Sequence, residues 1–228
     1  MNVKRSKVPS RGEGEEVARR TQAERTEATR GALIAAAREL FAERGYAAVG
    51  TEEIVRAAGV TRGALYHHFE GKPDLFRAVF EQLEGELAER FATEALSRAD
   101  PWEAMLAGID MYLEISADPA MHRIGLIDAP AVLGWQGWRE VGARYSLGLI
   151  ELGVKNLIDA GITEPQPVEP LAHAVLGTLS EAGLYVAQAE DVDVAREQMS
   201  QVLRGMLDGL RTGPAARRMA AGGARPRR

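Results

Sequence analysis

Apolar residues recur every three or four positions along most of the chain, and no run of useful length alternates with period two, so the pattern predicts helices throughout. Leu33, Ile34, Ala37, Leu40 and Phe41 mark one face of a first helix over about residues 26–44, and Gly45 follows as its stop. Thr51 has the chemistry of an N-cap, Glu52 and Glu53 suit the first turn of a second helix, Ile54, Val55 and Ala58 form its face, and Gly59 ends it. Thr61 is placed to cap a third helix, which buries Leu65 and Phe69 and stops near Gly71. Pro73 then opens a long fourth helix, where its missing N–H costs nothing. Leu75, Phe76, Val79, Phe80, Leu83, Leu87 and Phe91 keep one face of it.

Beyond Pro101 the spacing stays helical. Trp102, Met105, Leu106, Ile109, Tyr112, Leu113 and Ser116 share a face, and Asp118-Pro119 breaks it. Further helices are predicted at roughly 119–129, 134–160, 167–188 and 192–211, with GITEPQPVEP as the clearest interruption. Residues 1–24 carry almost no apolar side chains and are read as a flexible charged arm, and residues 213–228 as a disordered basic tail. The expectation is an all-α chain. A small helical domain over 25–72 leads through a connecting helix at 73–95 into a larger helical domain over 96–212.

Two short helices joined by Ala-Gly-Val make a helix-turn-helix, whose second helix enters the DNA major groove with its first residues facing the base edges. Arg62 can offer a bidentate fork to guanine, Gly63 lets the backbone approach, and Ala64 offers a methyl group to thymine. Tyr66, His67 and His68 are long enough to reach phosphates or base edges. Lys72 sits where a cation opposes the helix dipole, a placement that makes sense if a phosphate is held there as well.

Composition narrows the function. The chain has 228 residues, 46% of them hydrophobic, and no cysteine, which excludes disulfides, thiolate metal sites and a cysteine nucleophile. Its charged start has no signal-peptide core, and no run approaches a membrane span, so the expectation is a cytoplasmic protein with no membrane partner. The net charge of -5 is unevenly placed: residues 1–80 carry +3, residues 81–210 carry -14, and the remainder +6. A mildly basic front on an acidic body suits a DNA reader attached to a domain with another task.

The run TEEIVRAAGVTRGALYHHFEGKPDLF, preceded by AARELFAERGYAAVG, resembles the DNA-binding domain of the tetracycline-repressor (TetR) family of bacterial regulators. The resemblance covers about residues 28–80 and rests on Phe-x-x-x-Gly-Tyr, Thr, Ala-Gly-Val, Gly-x-Leu-Tyr-x-x-Phe and Lys at the expected offsets. It implies DNA contacts at Thr51, Arg62, Gly63, Ala64, Tyr66, His67, His68 and Lys72, to which the capping Thr61 is added. Glu52 departs from the polar or basic residue that some members use. The resemblance also implies a homodimer on a palindromic double-stranded operator, released by a small-molecule effector, with the last two long helices forming a four-helix dimer bundle. Leu179 and Val186 on one helix, and Met199, Val202, Leu203, Met206, Leu207 and Leu210 on the other, are the candidate interface.

Other readings compete at several positions. Tyr66 fits a partly buried core tyrosine as well as a phosphate contact. His67 and His68 are about 100° apart on a helix, so at least one faces water. Adjacent histidines chelate poorly from one helix, and no metal or cofactor is expected. Trp102, Met105, Ile109, Tyr112, His122, Trp135, Trp138, Tyr145 and His173 are the candidate lining of an effector cavity, with Trp135 and Tyr112 foremost; plain core packing is the rival reading for each. Nucleophile elbows, zinc-protease motifs and phosphate loops are missing, which leaves an enzyme poorly supported. A constitutive or architectural DNA binder without a ligand remains the alternative.

Overall fold

The computed structural model of the protein describes residues 11–94 and 97–211, with side chains from residue 22 onward. Its described residues are helical almost throughout: α1 (Arg11–Arg44), α2 (Thr51–Ala57), α3 (Arg62–His68), α4 (Lys72–Glu94), α5 (Pro101–Ser116), α6 (Pro119–Met121), α7 (Ala129–Gly142), α8 (Gly148–Asp159), α9 (Val168–Ala187) and α10 (Val192–Asp208). A π-helical stretch, His122–Asp128, joins α6 to α7, and a second, Ala143–Leu147, joins α7 to α8. The all-α expectation holds; one isolated bridge, Thr163 to Arg211, is the sole extended pairing among the described residues.

Local chemistry accounts for most boundaries. Thr61 Oγ1 accepts from the Ala64 N–H at 3.2 Å, which fixes the start of α3. Asp100 accepts from the N–H groups of Trp102 and Glu103 ahead of α5, Asp118 does the same for Ala120 and Met121, and Asp191 does so for Val194. The turn of the helix-turn-helix needs a left-handed residue, and Gly59 supplies it at φ 66° without a Cβ clash. Gly134, at φ 71° and ψ 163°, bends the chain within α7.

Two boundaries differ from the sequence reading. The N-cap of α2 is Gly50, in extended conformation, so Thr51 is the first helical residue instead of the cap. Glu53 reaches back to the Gly50 N–H at 3.2 Å and receives Arg44 at 2.8 Å, which fixes this corner without a threonine cap. Helix α1 starts at Arg11, so residues 11–24, expected to be a flexible arm, are helical. From Gln22 to Ala28 the side chains are exposed, and the helix formers Gln22, Ala23, Glu24, Arg25, Glu27 and Ala28 favour the helix there without apolar burial. Residues 1–10 and the tail at 213–228 lie outside the described residues.

The side chains pack into two cores. In the first, Leu33, Ala37 and Phe41 of α1 meet Ile54 of α2, Leu65 of α3, and Leu75, Phe76, Val79 and Phe80 of α4. The same core continues without a break into Met121, Ile124, Leu126, Trp138 and Val141. The second is formed by α5, α8, α9 and α10 around Leu113, Val154, Ala182, Val186 and Leu203. Helix α4 runs from the first core toward the second, and near its end the Phe91 ring lies on Gly108 of α5, where a Cβ would collide with the ring.

Gly108→Ala is therefore expected to destabilise the fold by about 1–3 kcal/mol through overpacking at this α4–α5 contact. Chemical denaturation of the variant beside the wild type measures it, and an unchanged midpoint would contradict the tight packing.

Candidate nucleic-acid interface and ligand cavity

Helix α3 presents its outer face to water. Leu65 and the following Phe69 turn inward, while Thr61, Arg62, Gly63, Tyr66 and His67 are exposed and Ala64 and His68 half-buried. Tyr66 is 48% exposed, which removes the core-tyrosine reading. The Arg62 guanidinium lies 5.6 Å from the Tyr66 ring centroid and 3.6 Å from a Glu52 carboxylate oxygen. Both members of that pair are well exposed, so little holds Arg62 back from another partner. The His67 and His68 rings meet edge to face, 5.2 Å apart. Thr51 is half-buried at the start of α2.

Lys72, expected at a phosphate, stacks its ammonium 3.9 Å above the Tyr46 ring. Partial burial pulls its pKa below the ordinary lysine value, and nearby Asp128 pulls in the opposite direction. Asp128 closes the π-helical stretch His122–Asp128 and accepts the Tyr46 backbone N–H at 2.7 Å. This bond ties the α1–α2 turn to the body of the protein, 82 residues further along the chain. Tyr46 in turn packs with Phe41 and Phe76, ring centroids 5.6 and 5.2 Å away.

On the other side of that π-helical stretch lies a cavity of about 50 Å³, room for a few waters, walled by α4, α5, α7, α9 and both π-helical stretches. Tyr112 and Trp138 line it, together with Met121, Gly125 and Leu126. Its polar groups are Glu84, Tyr112, Ser116, Ser146 and Ser180, with Arg139 also in the wall. Glu84 retains some solvent contact but is otherwise surrounded by protein, and among the described residues its one hydrogen bond comes from Ser146 Oγ at 3.4 Å. Desolvation pushes its pKa up to about 7, the Ser146 bond offsetting part of the rise. Burial also raises the Tyr112 phenol above its ordinary value, and the Glu84 charge adds to this. Gly183 of α9 makes room here, since a Cβ would sit 2.8 Å from Ser116 Oγ and 3.0 Å from the Tyr112 hydroxyl.

Several expected lining residues lie elsewhere. Trp135 is 64% exposed, because the bend at Gly134 turns it outward against Trp138 and Arg139. Trp102 packs under the Arg211 guanidinium, Tyr145 lies against Gly85 of α4, and His173 is exposed. His122 is half-buried with its Nε2 lacking a hydrogen-bond partner; burial first, then Arg123, lowers its pKa. Met105 and Ile109 line a separate narrow cleft between α4, α5, α8 and α9.

The expected dimer stripe is also divided. Leu179, Val186, Leu203 and Leu207 belong to the protomer's own core, and Met199 and Leu210 are half-buried. Val202 and Met206, 56% and 57% exposed, face outward on α10, and Tyr185 near the end of α9 is 53% exposed. The stripe spans an arc of α10, and positions only one residue apart fall on opposite edges of it.

Glu84 escaped the sequence reading, although a signal was present. On a helical wheel it falls beside Phe91 at the edge of the α4 apolar stripe, where an acid is unusual. Asp128 had no such signal, since its partner is a backbone group.

An exposed α3 on a helix-turn-helix, packed onto a larger helical body, is the arrangement of a DNA reader. The sequence matches the model for bacterial regulatory proteins of the TetR family over residues 33–79 and that for the tetracyclin repressor-like C-terminal domain over residues 102–210. A crystal structure of a TetR-family transcriptional regulator from Pectobacterium atrosepticum is 36% identical, covering 83% of this chain and 97% of that one, with a TM-score of 0.76. The transposon Tn10 TetC protein of Escherichia coli is 26% identical over 83% of this chain and 96% of its own. The transcriptional regulator CymR of Pseudomonas putida is 50% identical over 72 residues, 32% of this chain and 36% of its own length. The chain belongs to the TetR family of DNA-binding transcriptional regulators.

The Glu84 carboxyl yields a pH test. Its folded pKa, about 7, lies above the ordinary 4.5, so the fold binds the proton more tightly and loses stability as pH rises through that window. The loss is on the order of 3 kcal/mol once both states are ionised. Glu84→Gln removes it: thermal melts should show the variant more stable than wild type at pH 8 and equal to it near pH 4. Parallel melting curves across that range would contradict the buried carboxyl.

Proposed function

We propose that the protein is a transcriptional repressor, acting in the cytoplasm, that binds a palindromic operator as a homodimer through α3 and leaves it when a small molecule occupies the α4–α5–α7–α9 cavity. The observation that carries this reading is the shared π-helical stretch His122–Asp128. Gly125 and Leu126 face the cavity, while Asp128 holds the Tyr46 N–H of the DNA-reading domain. Glu84 adds a second link, since it lies on α4, the helix that begins at Lys72. A ligand that enlarges so small a cavity by displacing α4 or this stretch would change the spacing of two α3 helices in a dimer. Reciprocity then requires operator DNA to weaken ligand binding by the same factor.

The small cavity also favours a second reading, a constitutive regulator without a ligand. Thermal shift of the full chain against a metabolite panel separates the two: a ligand that raises the melting temperature and loses affinity in the presence of saturating operator supports the first, and its absence the second. Genomic fragments selected with the purified protein supply the operator.

Arg62→Ala should relax preference at one base pair in each half-site, at a cost of about 1–3 kcal/mol. Lys72→Ala should weaken all duplexes alike and lower the salt slope by about one per phosphate contact. Binding curves for operator and scrambled duplexes over a salt series read both; an unchanged slope would leave Lys72 with its Tyr46 stacking alone.

For the dimer, the exposed Val202 and Met206 on α10 are the supporting surface. Met206→Glu, alone or with Val202→Glu, should shift the chain to monomer in sedimentation and abolish operator binding while helical content is retained, because a charge buried in such a contact lacks a partner. A persistent dimer would place the interface elsewhere.

A further inference from the structure

The carboxylates along α4 are treated differently. Glu81 is paired with Arg144 at 3.0 Å, Glu86 with Arg38 at 2.7 Å, and Glu94 with Arg90 at 2.8 Å, all at the surface. Glu84 is turned into the cavity, and among the described residues no cation pairs with it. Among the described residues its one side-chain hydrogen bond is the long one from Ser146, and a carboxylate can accept several more. Arg139, in the same wall, forms no ion pair with it and points its guanidinium at the Trp135 face, 5.8 Å from the ring centroid. A sequestered carboxyl without a partner is costly to the fold.

The surroundings of Glu84 suit one kind of occupant. Leu87, Ile115, Leu126 and Leu176 supply an apolar wall, and the Trp138 indole an aromatic one. The hydroxyls of Tyr112, Ser116, Ser146 and Ser180 are acceptors for further N–H groups. We propose that this cavity recognises a lipophilic organic cation, a protonated amine on a small apolar or aromatic body, with Glu84 as the anion that receives its charge. This rests on the reading of the cavity as the effector site, and deepens it by naming the ligand class. An anionic ligand would meet Glu84 as a like charge. A neutral one would offer Glu84 an uncharged donor, weaker than the charge-assisted bond of an ammonium. The cation also supplies its own link to regulation, because pairing with Glu84 pulls directly on α4.

The test uses three probes with the same ring and different heads: phenethylamine, 2-phenylethanol and phenylacetate. Each is titrated by calorimetry into the full-length protein, its Glu84→Gln variant and its Ser146→Ala variant. The amine is expected to bind wild type at least about tenfold more tightly than the alcohol, the typical worth of a charge-assisted hydrogen bond. Glu84→Gln should erase that preference with the fold intact, and Ser146→Ala, which keeps the charge, should retain it. Equal affinity for amine and alcohol, tightest binding of phenylacetate, undiminished amine binding by Glu84→Gln, or no binding of the amine at millimolar concentration would each overturn the proposal. Operator release is measured in parallel. Glu84-dependent amine binding that leaves DNA bound supports the ligand class and defeats the inducer reading. Another metabolite that releases DNA from wild type and Glu84→Gln alike upholds the inducer reading and overturns the amine.

Discussion

The hydrogen bond from the Tyr46 backbone to Asp128 is the point through which the two halves of the molecule hold each other. A buried backbone N–H has to find an acceptor, and the turn between α1 and α2 has no local one for Tyr46. Because the acceptor comes from the π-helical stretch of the body, the DNA-reading domain is complete only when that stretch lies where it does. The aromatic cluster of Phe41, Tyr46 and Phe76 and the ammonium of Lys72 gather around the same turn. Core packing reinforces the attachment, with Met121 and Ile124 in one cluster with Leu33 and Phe80.

This arrangement changes how the connecting helix should be regarded. Helix α4 is the covalent route between the domains, but the domains also meet side by side, through α1 against α6 and the π-helical stretch. The reading helix is therefore positioned by two constraints of different character. Helix α4 is a stiff rod with a buried face, and the Asp128 contact is one polar bond on a stretch that also walls a cavity. Polar bonds are short-ranged and directional, so small displacements of the stretch are felt at the turn.

Much of this fold was legible in the sequence because its signals are local. The helix beyond Pro101, the break at Asp118-Pro119, the Gly59 turn and the α4 stripe depend on neighbours a few residues away, and the structure bears each out. The outward face of α3 was legible for the same reason, once Leu65 and Phe69 were taken as its inner side. What failed was harder to see from residue type. An aromatic count assigned Trp135 to a cavity, but the backbone angle of the glycine just before it sends it to solvent. The α10 stripe was read as one surface, although burial divides it between the protomer's core and its exterior. Residues 11–24 were read as a flexible arm for want of apolar residues, and the chain is helical there.

The two π-helical stretches have a consequence for how such a chain tolerates change in length. A π turn holds one residue more than an α turn, so losing a residue within 122–128 or 143–147 is absorbed by tightening to α geometry, and the helices on either side keep their facing. The same deletion inside α4 or α9 would rotate every later side chain by about 100° and turn core residues toward water. Both stretches wall the cavity. The cavity is thus walled where single-residue deletions are cheapest, and its shape can change with such a deletion while the DNA-reading helices remain in register.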